Sequence, residues 1–153
     1  MGIKIYYPDE KFCTKKDLNS FSGVIILTFG NFKFVLTGDN PSTVLKNMTT
    51  IHLLAAEIRD SNVLLAPHHG RDSEFCEEFV TKVNPGLTVI SDGIIRYSTQ
   101  EYSAQNYSRY SRGCLVDGRC RKTLTTRRDG NITFEIFENE KFYICLGKEL
   151  YGN

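Results

Sequence analysis

Short apolar runs separated by turn-forming residues dominate the first 90 residues of the chain. Each run has the length of one strand, and a short, nearly continuous apolar run of this kind predicts a buried strand. Gly30-Asn31 joins two of the runs and predicts a β-hairpin. The predicted strands cover residues 3–7, 24–29, 32–37, 63–66 and 87–90.

Helices are predicted between these strands. The first begins at Ser42 or Thr43 and extends to about Arg59, because its apolar residues recur on one helical stripe. A second helix is predicted to begin at Ser73 and to end at the turn formed by residues 84–86, and a third to lie within residues 97–112. The stripe of the first helix consists of Val44, Leu45, Met48, Ile51, Leu54, Ala55 and Ile58.

The C-terminal part of the chain returns to strand patterns. Residues 123–127 and 132–137 flank Asp129-Gly130 and predict a second hairpin, and residues 142–146 predict a final strand. Strands that alternate with helices and then end in hairpins predict an α/β fold with a mixed sheet. The length is sufficient for one domain, which we expect to comprise residues 1–153.

Composition and charge argue against several classes of protein. The 19 Lys and Arg residues nearly balance the 18 Asp and Glu residues, so no strong overall field attracts nucleic acid or a membrane surface. No apolar run approaches the length needed to span a bilayer, and the N-terminus lacks a signal-peptide pattern. The five cysteines form no Cys-x-x-Cys pair, which favours free thiols in a reducing compartment. We therefore expect a cytoplasmic protein without membrane partners.

Two of the predicted strands end in side chains that can bind a metal ion. One is followed by Thr37-Gly38-Asp39 and the other by Pro67-His68-His69-Gly70. Because two strand ends of one sheet can deliver side chains to the same rim, the carboxylate and the imidazoles are expected to lie close together. Such oxygen and nitrogen ligands suit zinc or manganese. A turn or cap role for Asp39 stays open, and His52 is expected to be structural.

A basic cluster lies near the predicted C-terminal hairpin. Its side chains can contact the phosphate groups of a substrate, whereas a solvated hairpin face explains the same pattern equally well. The cluster consists of Arg119, Arg121, Lys122, Arg127 and Arg128.

Four segments of the chain occur in an order that resembles one known fold, and the Thr-Gly-Asp and Pro-His-His-Gly pair is the specific part of that resemblance. They are Asn19-x-x-Ser22-Gly23-Val24-Ile25, Leu36-Thr37-Gly38-Asp39, Val63-Leu64-Leu65-Ala66-Pro67-His68-His69-Gly70 and Pro85-x-x-x-Val89-Ile90-Ser91. In this order they resemble the metallo-β-lactamase fold, and most of all the hydrolase domain of ComEC-like competence (DNA-internalisation) proteins. The segment from Thr125 to Ile132 also resembles the closing hairpin of that domain. The resemblance covers about residues 6–137 and implies the C-terminal half of the αββα sandwich, with a mixed sheet, helices and a C-terminal hairpin.

The resemblance assigns roles to individual residues. Asp39 matches the carboxylate that bridges two metal ions, and His68 matches the late histidine ligand, with His69 orienting it or contacting the substrate. The implied activity is hydrolysis of phosphodiesters by a metal-bound hydroxide, with zinc or manganese as the cofactor. Arg127 and Arg128 are then expected to bind the anionic substrate, for example a nucleic acid.

The chain departs from this family at two places. The early His-x-His-x-Asp-His motif, which supplies most metal ligands in such hydrolases, has no counterpart among the three histidines. After Ser91-Asp92-Gly93, where many relatives have a His-Pro pair, this chain has Tyr97-Ser98-Thr99. The sequence therefore predicts a partial hydrolase domain that requires a missing N-terminal half or a homodimer mate. The alternative is a catalytically inactive binding module that packs against a partner chain.

Overall fold

Strands and helices alternate over most of the chain in the computed structural model, which describes residues 1–95, 97–138 and 141–147. The strands are Gly2–Tyr6 (β1), Val24–Phe29 (β2), Phe32–Leu36 (β3), Val63–Leu65 (β4), Leu87–Ile90 (β5), Cys114–Val116 (β6), Arg119–Arg121 (β7), Thr123–Thr125 (β8), Asn131–Ile136 (β9) and Phe142–Gly147 (β10). The helices are Ser42–Met48 (α1), His52–Ile58 (α2), Glu77–Val83 (α3), Ser103–Tyr110 (α4) and Thr126–Asp129 (α5).

A six-stranded mixed sheet forms the centre of the molecule, with the strand order β1-β2-β3-β4-β5-β8. β1, β2 and β3 are antiparallel, whereas β3, β4, β5 and β8 run parallel to one another. The hairpin predicted at Gly30-Asn31 is confirmed, since Phe29 pairs with Phe32 across it. The prediction of an α/β fold with a mixed sheet is confirmed.

Different layers cover the two faces of the sheet. On one face, α1 to α4 pack on the strands through a buried cluster that includes Val35, Leu45, Leu64, Phe79 and Tyr107. On the other face, a hairpin of β9 and β10 covers β3, β4, β5 and β8. The ring centroids of Phe32 and Phe142 lie 5.0 Å apart in that second cluster. The parallel strands are therefore buried on both sides, which explains why they are apolar at nearly every position.

The single helix predicted from Ser42 to Arg59 is wrong, because the chain breaks it into α1 and α2. The hydroxyl of Thr49 donates to the carbonyl of Lys46, and that of Thr50 donates to the carbonyl of Asn47. Such hydroxyl bonds to carbonyls three residues back compete with the helical ladder. The apolar stripe is nevertheless buried on both sides of the break, because Met48 and Leu54 belong to the same core.

The next helix begins later than predicted, at Glu77 rather than after Ser73. Residues Asp72–Glu74 form a 3-10 turn, and Phe75 has an extended backbone. The Phe75 ring packs edge-on against the buried Tyr107, with centroids 5.0 Å apart. The extended backbone at Phe75 separates the 3-10 turn from α3. The predicted helix within residues 97–112 is present only as α4.

The hairpin predicted around Asp129-Gly130 is wrong, because β8 pairs in parallel with β5 and not with β9. Asp129 Oδ2 accepts a hydrogen bond of 2.8 Å from the Thr125 N–H and thereby supports the short helix α5. The C-terminal hairpin instead joins β9 to β10, with Ile136 opposite Phe142. The hairpin of β6 and β7 is an element that the sequence patterns did not predict.

The helices in the ranges that the structure describes are short. The longest, α4, has eight residues, and none of these helices is long and apolar enough to cross a membrane.

Candidate functional site

The parallel strands end side by side at one edge of the sheet. Leu36, Leu65, Val89 and Leu124 occupy neighbouring positions in β3, β4, β5 and β8. The segments that follow these strands bring the residues after Thr37, Pro67, Ser91 and Thr125 to the same edge. Because crevices at the carboxyl ends of parallel strands are the usual binding region of open α/β sheets, this edge is the candidate site.

The turn after β3 holds Asp39. The Thr37 hydroxyl donates to the carbonyl of Leu65 at 2.9 Å, which ties the turn to β4. Gly38 has a φ of +57°, and a Cβ at this position would lie 3.1 Å from the Cβ of Ser22, so the turn favours glycine. The Asp39 carboxylate is half-buried and makes no hydrogen bond or ion pair with any residue that the structure describes.

The turn after β4 has an unusual backbone. His68 and His69 have φ values of 47° and 56°, and Gly70 follows with a φ of 72°. A Cβ on Gly70 would lie 2.6 Å from Ser103 Oγ and 2.7 Å from Ile90 Cγ2, so the turn requires glycine there. Two consecutive non-glycine residues in the left-handed region store backbone strain of about 1–3 kcal/mol each. Such strain clusters at functional sites.

A hydrogen bond of 3.1 Å joins the two turns, from the His68 N–H to the Gly38 carbonyl. His68 is half-buried and His69 is exposed. His69 Nδ1 lies 2.8 Å from the carbonyl of Ser91. Since a carbonyl can only accept, the ring nitrogen Nδ1 carries a proton and donates this hydrogen bond. The backbone hydrogen bond that commonly orients a metal-binding imidazole is therefore made by His69 and not by His68.

The donor set at this edge does not complete a metal site. Over residues 1–95, 97–138 and 141–147, no three His, Cys, Asp or Glu side chains are arranged so that they could share a metal ion. The predicted ligands Asp39, His68 and His69 therefore belong to neighbouring turns without forming such a group. A catalytic zinc needs three protein ligands and an open position. A metal at this edge would thus need at least one donor from outside this part of the chain.

The segments after β5 and β8 are joined by a buried ion pair. The Asp92 side chain is 1% exposed, and its Oδ2 lies 2.7 Å from Arg127 Nη2, although the guanidinium is not aligned for a hydrogen bond. Asp92 Oδ1 accepts a hydrogen bond of 3.0 Å from the Arg127 N–H, and the Thr126 hydroxyl donates to the Asp92 carbonyl at 2.6 Å. These contacts fix the Arg127 guanidinium at the sheet edge.

A cavity of about 300 Å³ lies beside this ion pair. The side chain of Gln100 connects it to the histidine turn, because Gln100 Nε2 donates to the carbonyl of His69 at 2.6 Å. Gln100 also lines a second, more open cavity of about 530 Å³ next to His69. The first cavity is lined by Ile90, Asp92, Gln100, Glu101, Ser103, Ala104, Thr125, Arg127 and Arg128.

The arginines of the predicted basic cluster differ in their ion-pair partners. Arg121 Nη2 donates to both oxygens of Asp129, at 2.9 and 3.1 Å, so this arginine is held by an internal ion pair. Arg127 is paired with Asp92 but still lines the cavity, whereas Arg128 is exposed and makes no ion pair with the described residues. The two arginines predicted to bind substrate therefore lie at one cavity.

Sequence reasoning missed the roles of Asp92 and Gln100. Asp92 follows a predicted buried strand in Ser91-Asp92-Gly93, as Asp39 does in Thr37-Gly38-Asp39, so the same strand-end pattern could have identified it. No local signal identifies Gln100, because its position depends on how residues 98–100 fold back over the sheet edge.

Comparison with known proteins assigns no further role to these residues. Models of protein families, curated proteins and solved structures were compared with the chain, and none matched.

Proposed function

We propose that this chain is the C-terminal half of a metallo-β-lactamase-type hydrolase, similar to that of ComEC-like proteins, which cleaves phosphodiesters once another half completes it. In this proposal Asp39 and His68 contribute ligands to a zinc or manganese site, and His69 supports them. Arg127 and Arg128 bind the anionic substrate. A cytoplasmic location belongs to the same proposal, and its support is that all five cysteines are free thiols.

The observation that supports the proposal most directly is the hydrogen bond between the two motif turns. The His68 N–H donates to the Gly38 carbonyl at 3.1 Å, and Asp39 is the next residue after Gly38. Both candidate ligands therefore belong to residues at or beside this bond. Two motifs that are 28 residues apart in the sequence meet at one edge because β3 and β4 are parallel neighbours.

Because the described residues supply too few ligands, the proposal requires a metal site that two polypeptides form together. Asp39 and His68 supply two ligands, and the part of the chain that the structure describes offers no arrangement of three. Because a catalytic zinc has three protein ligands, we propose that another polypeptide supplies the remaining donors. That polypeptide is either the N-terminal half of the fold or a second copy of this chain.

An uncovered apolar strip on the sheet supports such a partner. Ile3 and Ile5 of β1 are 58% and 49% exposed, and they pair with Leu27 and Ile25 of β2. Ile25 in turn pairs with Leu36, and Leu36 pairs with Leu65 of β4. Ile3 and Ile5 therefore lie on the same face of the sheet as Leu65, which the β9–β10 hairpin covers. Exposed apolar surface on a sheet that is covered elsewhere is typical of an interface.

The experiment measures metal binding before and after completion of the site. We expect the chain alone to bind zinc or manganese with a dissociation constant of about 10⁻⁴ M or weaker, because only two ligands are anchored. Asp39→Ala and His68→Ala should each abolish that binding in isothermal titration. His52→Ala, which removes the exposed histidine at the start of α2, is the matched control and should change nothing.

Completion is tested by adding a polypeptide that carries the His-x-His-x-Asp-His motif. The mixture should bind metal tightly and hydrolyse bis(p-nitrophenyl) phosphate, with both properties lost in the Asp39→Ala chain. Metal binding that is unchanged in Asp39→Ala and in His68→Ala would contradict the proposal.

The second candidate function is a catalytically inactive binding module. It is favoured by the lack, among the residues that the structure describes, of a third donor beside Asp39 and His68. A stable complex with the partner polypeptide that stays free of metal and without hydrolysis would support this second function and exclude the first.

A further inference from the structure

Besides Asp92 Oδ2, which is ion-paired with Arg127, three buried polar atoms without hydrogen-bond partners lie in residues that line the same 300 Å³ cavity. They are Arg127 Nη1, Gln100 Oε1 and Ser103 Oγ. Gln100 and Ser103 are 7% and 3% exposed, so neither side chain is solvated as a surface group would be. A buried polar group without a partner costs about 1–3 kcal/mol, and native proteins therefore contain few of them. Three around one cavity indicate that a polar molecule satisfies them.

The orientation of the Gln100 amide is fixed by its surroundings. Gln100 Nε2 donates to the carbonyl of His69 at 2.6 Å, and since a carbonyl accepts only, the NH₂ group must face His69. Oε1 is then left as an acceptor that requires a donor from another molecule. The Ser103 hydroxyl can donate or accept.

The Arg127 guanidinium is fixed on one side by Asp92, which leaves its other side for a ligand. Nη2 is paired with Asp92 at 2.7 Å, while Nη1 is buried and has no partner. A guanidinium fixed in this way presents its remaining N–H groups at little entropic cost, and it recognises carboxylate and phosphate oxygens. The exposed Arg128 at the same cavity adds a second cation.

We propose that this cavity binds a small organic phosphate that carries hydroxyl groups, such as a sugar phosphate. The phosphate accepts from Arg127 Nη1 and from Arg128, a ligand hydroxyl donates to Gln100 Oε1, and Ser103 Oγ bonds to the ligand's oxygens. The cavity volume equals that of about ten molecules of liquid water. A lone phosphate ion would therefore leave much of the cavity unfilled. Asp92 and Glu101 line the cavity together with the two arginines, so its lining contains two acidic and two basic residues.

The inference extends the proposed function, because it uses the two arginines to which that function assigns substrate binding. The binding itself requires neither metal nor turnover. Measurements in the presence of EDTA therefore separate a failure of this inference from a failure of the metal site.

The test is isothermal titration of the full chain with ribose 5-phosphate, inorganic phosphate and ribose in EDTA. Ribose 5-phosphate should bind at one site, at least tenfold more tightly than either of the two fragments. Arg127→Lys keeps a charge opposite Asp92 but loses the second donor nitrogen, so it should weaken binding about tenfold or more. Ser103→Ala removes an unpartnered hydroxyl and should weaken binding about fivefold without loss of thermal stability.

Arg112→Lys is the matched control. Arg112 also lies beside an aspartate, with Nη1 3.7 Å from Asp60, but it sits near the amino end of β5, because its N–H donates to the carbonyl of Pro85. This variant should bind ribose 5-phosphate as the unmodified chain does. Absence of saturable binding, or equal weakening by Arg112→Lys and Arg127→Lys in folded protein, would overturn the inference.

Discussion

Backbone strain at single residues distinguishes the histidine turn from the other turns at the sheet edge. His68 and His69 both have positive φ, and the turn ends at Gly70, a position that has no space for a Cβ atom. The His68 N–H bond to Gly38 holds the strained conformation in place. A left-handed conformation costs a residue with a Cβ about 1–2 kcal/mol, which glycine avoids. The strain therefore has a direct consequence for substitutions.

At position 68 we expect glycine to be better tolerated than alanine. The free energy of unfolding of the His68→Gly variant should be about 1 kcal/mol higher than that of the His68→Ala variant. Both variants lose the imidazole, but only alanine keeps the strain of the left-handed backbone. Urea denaturation monitored by circular dichroism measures the difference. Ala56→Gly, on the exposed face of α2, is the control and should destabilise by about 1 kcal/mol. An alanine variant at 68 that is as stable as the glycine variant would argue against stored strain.

At the scale of an element, α4 is anchored by one buried aromatic residue. Tyr107 is fully buried, packs edge-on against Phe75, and its hydroxyl has no hydrogen-bond partner. Burial raises the pKa of the Tyr107 hydroxyl, and negative charges on Cys76, Glu74 and Asp72 add to the shift. The helix is thus held by packing rather than by a polar contact of this side chain.

Tyr107 should make the fold sensitive to alkaline pH. Below about pH 10 the hydroxyl is protonated in both states, so it contributes no pH dependence. Above that pH the unfolded tyrosine ionises while the buried one does not. The free energy of unfolding then falls as pH rises, by up to about 1.4 kcal/mol per pH unit.

The variant Tyr107→Phe should remove this part of the alkaline slope and keep the ring packing. Urea denaturation at pH 8 and above pH 10 compares it with Tyr102→Phe, which changes an exposed tyrosine at the start of the same helix and should retain the slope. Equal slopes in both variants would show that Tyr107 is not the source.

For the whole molecule, coverage of the sheet is uneven. Helices cover one face, but on the other face the β9–β10 hairpin packs over the parallel strands, while Ile3 and Ile5 of the edge strand β1 stay exposed. An edge strand with apolar side chains also presents unpaired backbone groups, so it can pair with another chain. From both features we expect this side of the molecule to associate with another chain.

Replacing Ile3 and Ile5 by threonine should weaken association without unfolding the sheet, because threonine is also favoured in strands. Sedimentation velocity over a range of concentrations should show self-association, or binding to the partner half, that the double variant loses. Leu53→Gln removes an exposed leucine from α2 and is the control that should leave association unchanged. A chain that stays monomeric and binds no partner half would contradict the predicted interface.

Much of the architecture could be predicted from the sequence because the signals are local. Apolar runs mark β2, β3, β4 and β5. The runs of β4 and β5 are nearly continuous, since a strand buried on both faces must be apolar throughout its length. The turn motifs that contain Asp39 and His68 were placed at one rim from their position after strands, and the hydrogen bond between His68 and Gly38 now joins those turns.

Tertiary structure alone decided which segments pair and what surrounds the cavity. β8 lies beside β5 because that edge of the parallel sheet was open, although Asp129-Gly130 locally favours a hairpin with β9. α3 begins only at Glu77, because Phe75 is extended and its ring packs against Tyr107. Gln100 reaches the histidine turn only after its loop folds over the sheet edge. Local patterns fix how a segment is built, whereas its partner depends on which distant surface is still uncovered when the chain packs.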